Sequence, residues 1–154
     1  MLKKIATFTV EGAPVGKGRP KFARRGNFVT AYTPAKTKTY EAVIADFATT
    51  DMGAKPCSTG AVQLHVDAYM PIPASWSRAK KLRALSGEIH PTTKPDLDNV
   101  CKAVADALNG IAYKDDSQIV GLSIIKRYSE MPRVEVRVYE VINETVPKRC
   151  HTVG

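Results

Sequence analysis

The stretch Ala61 to Met70, AVQLHVDAYM, sets Val62, Leu64, Val66 and Ala68 at every second position and stops against Pro71 and Pro73. Successive side chains of a strand point to opposite faces, so this alternation predicts a half-buried β-strand. IATFTVE, from Ile5 to Glu11, predicts a second strand, ended by Gly12 and Pro14. Asn27 to Tyr32, Gln118 to Tyr128 and Arg133 to Val141 complete the strands. Three helices fall between them. The first opens at Thr33-Pro34, a good N-cap followed by a proline at the first helical position, and stops near Gly53. The second, SWSRAKKLRAL from Ser75 to Leu85, is basic and amphipathic with a serine cap. The third opens at Asp96 or Asp98 and runs to about Leu108, before Asn109-Gly110. This order predicts an α/β fold, a mixed or antiparallel sheet with helices packed on it. At 154 residues the chain is one domain's worth, read as residues 1–142 with a frayed tail over 143–154.

Charge narrows the function classes. Lys and Arg number 23 against 15 Asp and Glu, a formal net charge of +8, which favours a polyanionic partner, nucleic acid before anionic membrane. No apolar run approaches the roughly 20 residues that span a bilayer. No signal-peptide core follows the N-terminus, so a cytoplasmic protein is expected. Cys57, Cys101 and Cys150 are widely spaced, and His65, His90 and His151 form no ligand pattern, which argues against zinc and for free thiols. VGKGRPKFARRGNF, from Val15 to Phe28, carries Lys17, Arg19, Lys21, Arg24 and Arg25 among glycines and a proline. It reads as an extended arm or hairpin that contacts phosphates, the alternative being a solvated hairpin. Lys36 and Lys38 add cations in the first turn of the first helix, where the macrodipole disfavours them.

Against this positive background stands KPDLDN, which places two carboxylates one residue apart at a helix mouth. Asp is a favoured N-cap, and an acid in the first turn complements the dipole, so a structural reading is available. On a helix from Asp98, Val100, Cys101, Val104, Ala107 and Leu108 share one arc, while Asp98, Lys102 and Asp106 run along the opposite side. Asp115-Asp116 follows a turn and directly precedes a strand, so it can return toward the same helix. Clustered carboxylates repel unless a cation sits among them, and an all-oxygen set suits Mg²⁺ or Mn²⁺. A hard cation on aspartates in a basic protein is the layout of a metal-dependent nuclease. By spacing alone Lys102 either reaches the scissile phosphate or only screens Asp98. Asp106 stands about 12 Å along the axis from Asp98, too far to share its ion.

KPDLDNVCKAVADALNG followed by IAYKDDSQIVGL resembles the signature of the RusA family of Holliday-junction resolvases, often encoded by prophages. GAPVGKGRPKF and YTPAKTKTYE also resemble the phage-type members, so the likeness spans most of residues 6 to 140. The resemblance implies a homodimer of mixed α/β fold that depends on Mg²⁺ and nicks four-way DNA junctions symmetrically. It implies Asp96, Asp98 and Asp116 as the essential, metal-holding acids and Lys102 as a further catalytic residue. Asp106 and Asp115 match motif positions without an assigned role. The wide apolar stripe of the Asp98 helix makes that helix a candidate dimer element, since a C₂ dimer presents two equal sites to two strands of like polarity. No small-molecule cofactor and no membrane partner are expected. Two alternatives remain at this point: a nuclease on flaps or forks, and a non-catalytic junction binder whose acids only cap helices.

Overall fold

The computed structural model describes residues 1–18, 21–25, 28–32 and 35–143, with backbone alone between 21 and 36. Arg19, the Thr33-Pro34 helix start and all but the first residue of the 143–154 tail lie outside the described residues. The chain runs β1 (Leu2–Glu11), β2 (Lys21–Arg25), β3 (Phe28–Tyr32), α1 (Ala35–Met52), β4 (Val62–Pro71), α2 (Arg78–Leu85), α3 (Leu97–Ala107), a 3₁₀ turn (Asp116–Gln118), β5 (Ile119–Ser129) and β6 (Arg133–Val141). Four strands form one mixed sheet in the order β1-β6-β4-β5. β1 and β4 pair antiparallel to β6, whereas β4 and β5 are parallel. A parallel pair needs a long crossover, and α2 and α3 supply it. The expected α/β architecture, helices on a mixed sheet, is the one observed.

Alternation along β4 decides which face is covered. Val62, Leu64, Val66 and Ala68 are buried in one cluster with Val134, Val136 and Val138 of β6, Ile44 and Ala48 of α1, and Val100 and Val104 of α3. The opposite face carries polar and aromatic pairs instead: Arg137 bonds Asp67 at 3.0 Å, and the Arg133 guanidinium stacks 3.9 Å over Tyr69. Removing roughly 25 cal/mol per Å² of apolar surface from water makes this one-sided core the main stabilising term. β1 extends three residues further toward the N-terminus than its periodicity predicts, because Leu2 pairs with Val141 on the long β6. α2 starts later than predicted. Trp76 N–H closes a turn on Pro73 O at 3.2 Å, and Ser77 rather than Ser75 becomes the cap, accepting from Lys80 N–H at 3.2 Å.

The basic segment is a hairpin: β2 and β3 pair from Lys21↔Tyr32 to Arg25↔Phe28 as a separate two-stranded sheet. Its root is fastened to both flanking helices. Lys17 N–H donates to Asn99 O at 2.9 Å, and Gly18 N–H donates to Thr37 Oγ1 at 3.0 Å.

The expectation that α3 offers its apolar stripe to a partner subunit is corrected. Val100, Cys101, Val104, Ala107 and Leu108 are buried within the chain's own core. A stripe already covered by the sheet and α1 has no surface left to give a dimer. Among the described residues, no helix is long and apolar enough to cross a membrane.

Candidate active site

The acidic site forms where the crossover ends. Residue Asp96 has the extended backbone of an N-cap (φ −67°, ψ 142°), but its carboxylate makes no capping hydrogen bond. The structural reading of Asp96 is therefore only half met: the backbone caps, and the side chain stays exposed beside its helix. Asp98 occupies the first turn of α3 and is also exposed. The peptide bond Lys94–Pro95 that precedes them is cis. A groove of about 830 Å³, lined by the segment 15–18 together with Lys94, Asp96 and Asn99, opens at this end of the helix.

Asp116 arrives from the other segment. After α3 the chain tucks Tyr113 into the core, its hydroxyl donating to Ala105 O at 2.7 Å. Burial pushes that phenol well above its usual pKa, so it stays a neutral donor. The following turn is held by Gln118, whose side chain is fully used. Its Oε1 accepts from Lys114 N–H at 2.8 Å and Asp115 N–H at 3.0 Å, and its Nε2 donates to Ser58 O at 2.9 Å and Gly60 O at 2.8 Å. Asp115 Oδ2 accepts from Ser117 N–H at 3.1 Å, completing a capping box with Gln118. Those hydrogen bonds from Ser117 hold the Asp115 carboxyl below the ordinary range. Asp115 thus spends its side chain on the turn, while Asp116 is left to face α3.

Lys102 joins the two segments. Its ammonium lies 3.0 Å from Asp106 Oδ1 and 3.4 Å from Asp116 Oδ2. The hydrogen bond it donates to Asp106 is the largest reason its pKa is raised, so it is a permanent cation near neutral pH. Asp106 in turn binds Lys17 at 2.6 Å, and Lys17 binds Glu41 of α1 at 3.0 Å. Burial opposes ionisation of Asp106, yet the hydrogen bonds from Lys17 and Lys102 outweigh it and keep the carboxyl below its usual range. An alternating row of five charges results: Glu41, Lys17, Asp106, Lys102, Asp116.

The predicted residues are thus brought together in part. Asp116 reaches α3 at Lys102, one turn C-terminal of Asp98, rather than at the helix mouth. Among the described residues, no three acidic, histidine or cysteine side chains converge as a metal-ligand group. The donor chemistry of Asp96, Asp98 and Asp116, oxygen only, nonetheless suits a hard divalent cation, and Asp116 already takes a cation as its neighbour. Lys17 has its ammonium on two carboxylates inside the fold. The side chains of Lys21, Arg24, Arg25 and Lys36 lie outside the described residues. Two residues gained roles that spacing did not assign. Gln118 was legible as the fourth residue of a D-x-x-Q capping box, whereas nothing local in GKG pointed Lys17 at Asp106, 89 positions away.

A family model, Endodeoxyribonuclease RusA, matches residues 11–139. The chain belongs to the RusA endodeoxyribonuclease family. The match takes in α3, the acidic turn and the hairpin. An uncharacterized protein of Bacillus subtilis (strain 168), YqaN, is 46% identical over 136 residues, covering 87% of this chain and 95% of its own length. The crossover junction endodeoxyribonuclease rusA of Lactococcus phage r1t is 43% identical over 51 residues, 32% of this chain and 39% of the phage protein. Membership of that family implies endodeoxyribonuclease activity.

Gln118→Leu is expected to release the acidic turn, leaving Ser58 O, Gly60 O and two amides without their partner. These groups are exposed or only partly buried, so water takes over much of the bonding and each loss stays at about 1 kcal/mol or below. Thermal unfolding should show a moderate loss of stability, because the turn that aims Asp116 at Lys102 is no longer held.

Proposed function

We propose that this RusA-family chain resolves four-way (Holliday) DNA junctions by paired, symmetric nicks, acting as a homodimer with a divalent cation. The observation that carries the reading is Lys102, whose one ammonium reaches the α3 row and the acid of the 3₁₀ turn together. Asp96, Asp98 and Asp116 would hold Mg²⁺, with Mn²⁺ a chemically similar substitute. Such an ion lowers the pKa of bound water and neutralises charge on the phosphate and leaving oxygen. The chain's own side chains do the remainder. Lys102 is an additional fixed cation for the phosphate, and Gln118 and Asp115 hold the turn rigid. The hairpin segment bearing Lys21, Arg24 and Arg25 supplies cations to the DNA backbone without reading bases, and Lys36 is a further cation in the sequence that follows. The exposed cations Arg78 and Lys80 of α2 add to the positive field.

A non-catalytic binder would gain nothing by massing anions where phosphates approach. The experiment compares labelled four-way junctions, flaps, forks and plain duplex in Mg²⁺ and in EDTA. Symmetric nicks in junctions with Mg²⁺, none in EDTA, are expected. Binding without cutting in either buffer would remove the enzymatic reading, and preferential cutting of flaps or forks would replace the substrate.

A further inference from the structure

We propose that Lys17 is a positioning residue: acting through Asp106, it sets where the Lys102 ammonium stands relative to Asp116. This inference rests on the proposed nuclease activity and assigns Lys17, a residue of the basic arm by sequence, to the catalytic side of the protein.

Backbone packing puts Lys17 where it is. Gly16 passes so close to α3 that a Cβ there would stand 2.9 Å from Pro95 Cβ and 3.1 Å from Asn99 Cβ. Only the absence of a side chain lets this loop come so near. The next N–H, that of Lys17, then bonds Asn99 O at 2.9 Å, and Gly18 N–H bonds Thr37 Oγ1. With main-chain N–H groups bonded to α3 and α1 on either side, the Lys17 side chain reaches acids of both helices. Its ammonium ends 2.6 Å from Asp106 Oδ2 and 3.0 Å from Glu41 Oε1. The three side chains are only 23%, 21% and 18% exposed, so this is no loose surface pair. A DNA phosphate would have to displace two carboxylates to claim that ammonium.

Asp106 has two oxygens and divides them. Oδ2 takes Lys17 and Oδ1 takes Lys102, at 3.0 Å. Lys102 is therefore shared between half of Asp106 and Asp116, at 3.4 Å. Remove the Lys17 charge and the Asp106 carboxylate is left with one cationic neighbour instead of two. Coulomb attraction then draws Lys102 onto Asp106 and away from Asp116. Lys17 thereby controls the balance that leaves Lys102 facing the acid turn.

The test measures single-turnover cleavage, junction affinity, salt dependence and thermal unfolding for wild type, Lys17→Met, Lys17→Arg, Lys102→Met and the Lys17→Met/Lys102→Met pair. Lys17→Met should lower the cleavage rate by roughly 10- to 100-fold, as loss of a supporting contact does. Its junction affinity and salt slope should stay at wild-type values, and Lys17→Arg should recover most of the rate. The double variant should be no slower than Lys102→Met alone, because Lys17 acts through Lys102. Four results overturn the proposal. One is a salt slope reduced by about one unit in Lys17→Met, the mark of a lost phosphate contact. A second is rate losses that multiply in the double variant. The others are Lys17→Arg being no better than Lys17→Met and a Lys17→Met chain that unfolds, with Lys17→Arg failing alongside it. If wild type cuts no DNA, the nuclease reading itself falls, an outcome separate from these.

Discussion

Asp116→Asn and Asp96→Asn are each expected to abolish strand cleavage while leaving junction binding unchanged or tighter. Both substitutions keep the size of the side chain and remove its charge. Asp96 makes no capping hydrogen bond, so its helix loses only a favourable dipole interaction of tenths of a kcal/mol. Asp116 loses a 3.4 Å contact to a half-exposed lysine, which is also of small energetic weight. Neither change should unfold the protein. Each removes one of three oxygen ligands proposed for the cation, and that withdraws several kcal/mol of transition-state stabilisation, roughly a 10³-fold loss or more. Binding gains for the opposite reason: a negative charge no longer faces the phosphates. Electrophoretic mobility of the junction complex in EDTA, read beside nicking in Mg²⁺, checks both halves. Normal cutting by either variant would remove that residue from the ligand set.

Local signals carried most of the architecture. The two-residue alternation of β4 identified both the strand and its buried face, since the core places Val62, Leu64, Val66 and Ala68 where the pattern does. The 3.6-residue stripe of α3 did the same for a helix. What such patterns omit is the identity of the surface opposite. The stripe of α3 was as compatible with a partner subunit as with a sheet, and only the crossover between parallel β4 and β5 settles it. Helix starts slipped for a related reason. Ser75 and Ser77 are both competent caps, and the Pro73–Trp76 turn selects the second. The acidic site was legible as composition and spacing, because D-x-D, the lysine one turn on and D-D before a strand all lie within 21 residues, from 96 to 116. Its wiring was not. The Lys17–Asp106 contact spans 89 positions and depends on a glycine's missing Cβ beside Pro95 and Asn99. No periodicity encodes a contact of that kind.

Lys102→Met is expected to reduce the cleavage rate by roughly 10²–10³-fold, the range seen when one preorganised charge-stabilising donor is removed. The structure separates this effect from stability. Lys102 is 56% exposed, its partner Asp106 keeps Lys17, and an exposed ion pair contributes at most about 1 kcal/mol. Thermal unfolding should therefore shift little. Charge, rather than proton transfer, is the reason for the loss. Hydrogen bonding to Asp106 raises the Lys102 pKa, so the group is fully protonated near neutral pH and titrates only as pH rises through that elevated value. A rate profile measured across neutral pH should keep its shape in Lys102→Met while falling in height. Lys102→Arg should restore part of the rate by keeping a cation within reach of both acids. A guanidinium is planar and wider than an ammonium, so its fit against Asp106 and Asp116 is poorer and full recovery is not expected. If Lys102→Arg and Lys102→Met are equally slow, the requirement is for the compact ammonium itself. If the neutral Met variant cuts at the wild-type rate, Lys102 serves only to bridge Asp106 and Asp116.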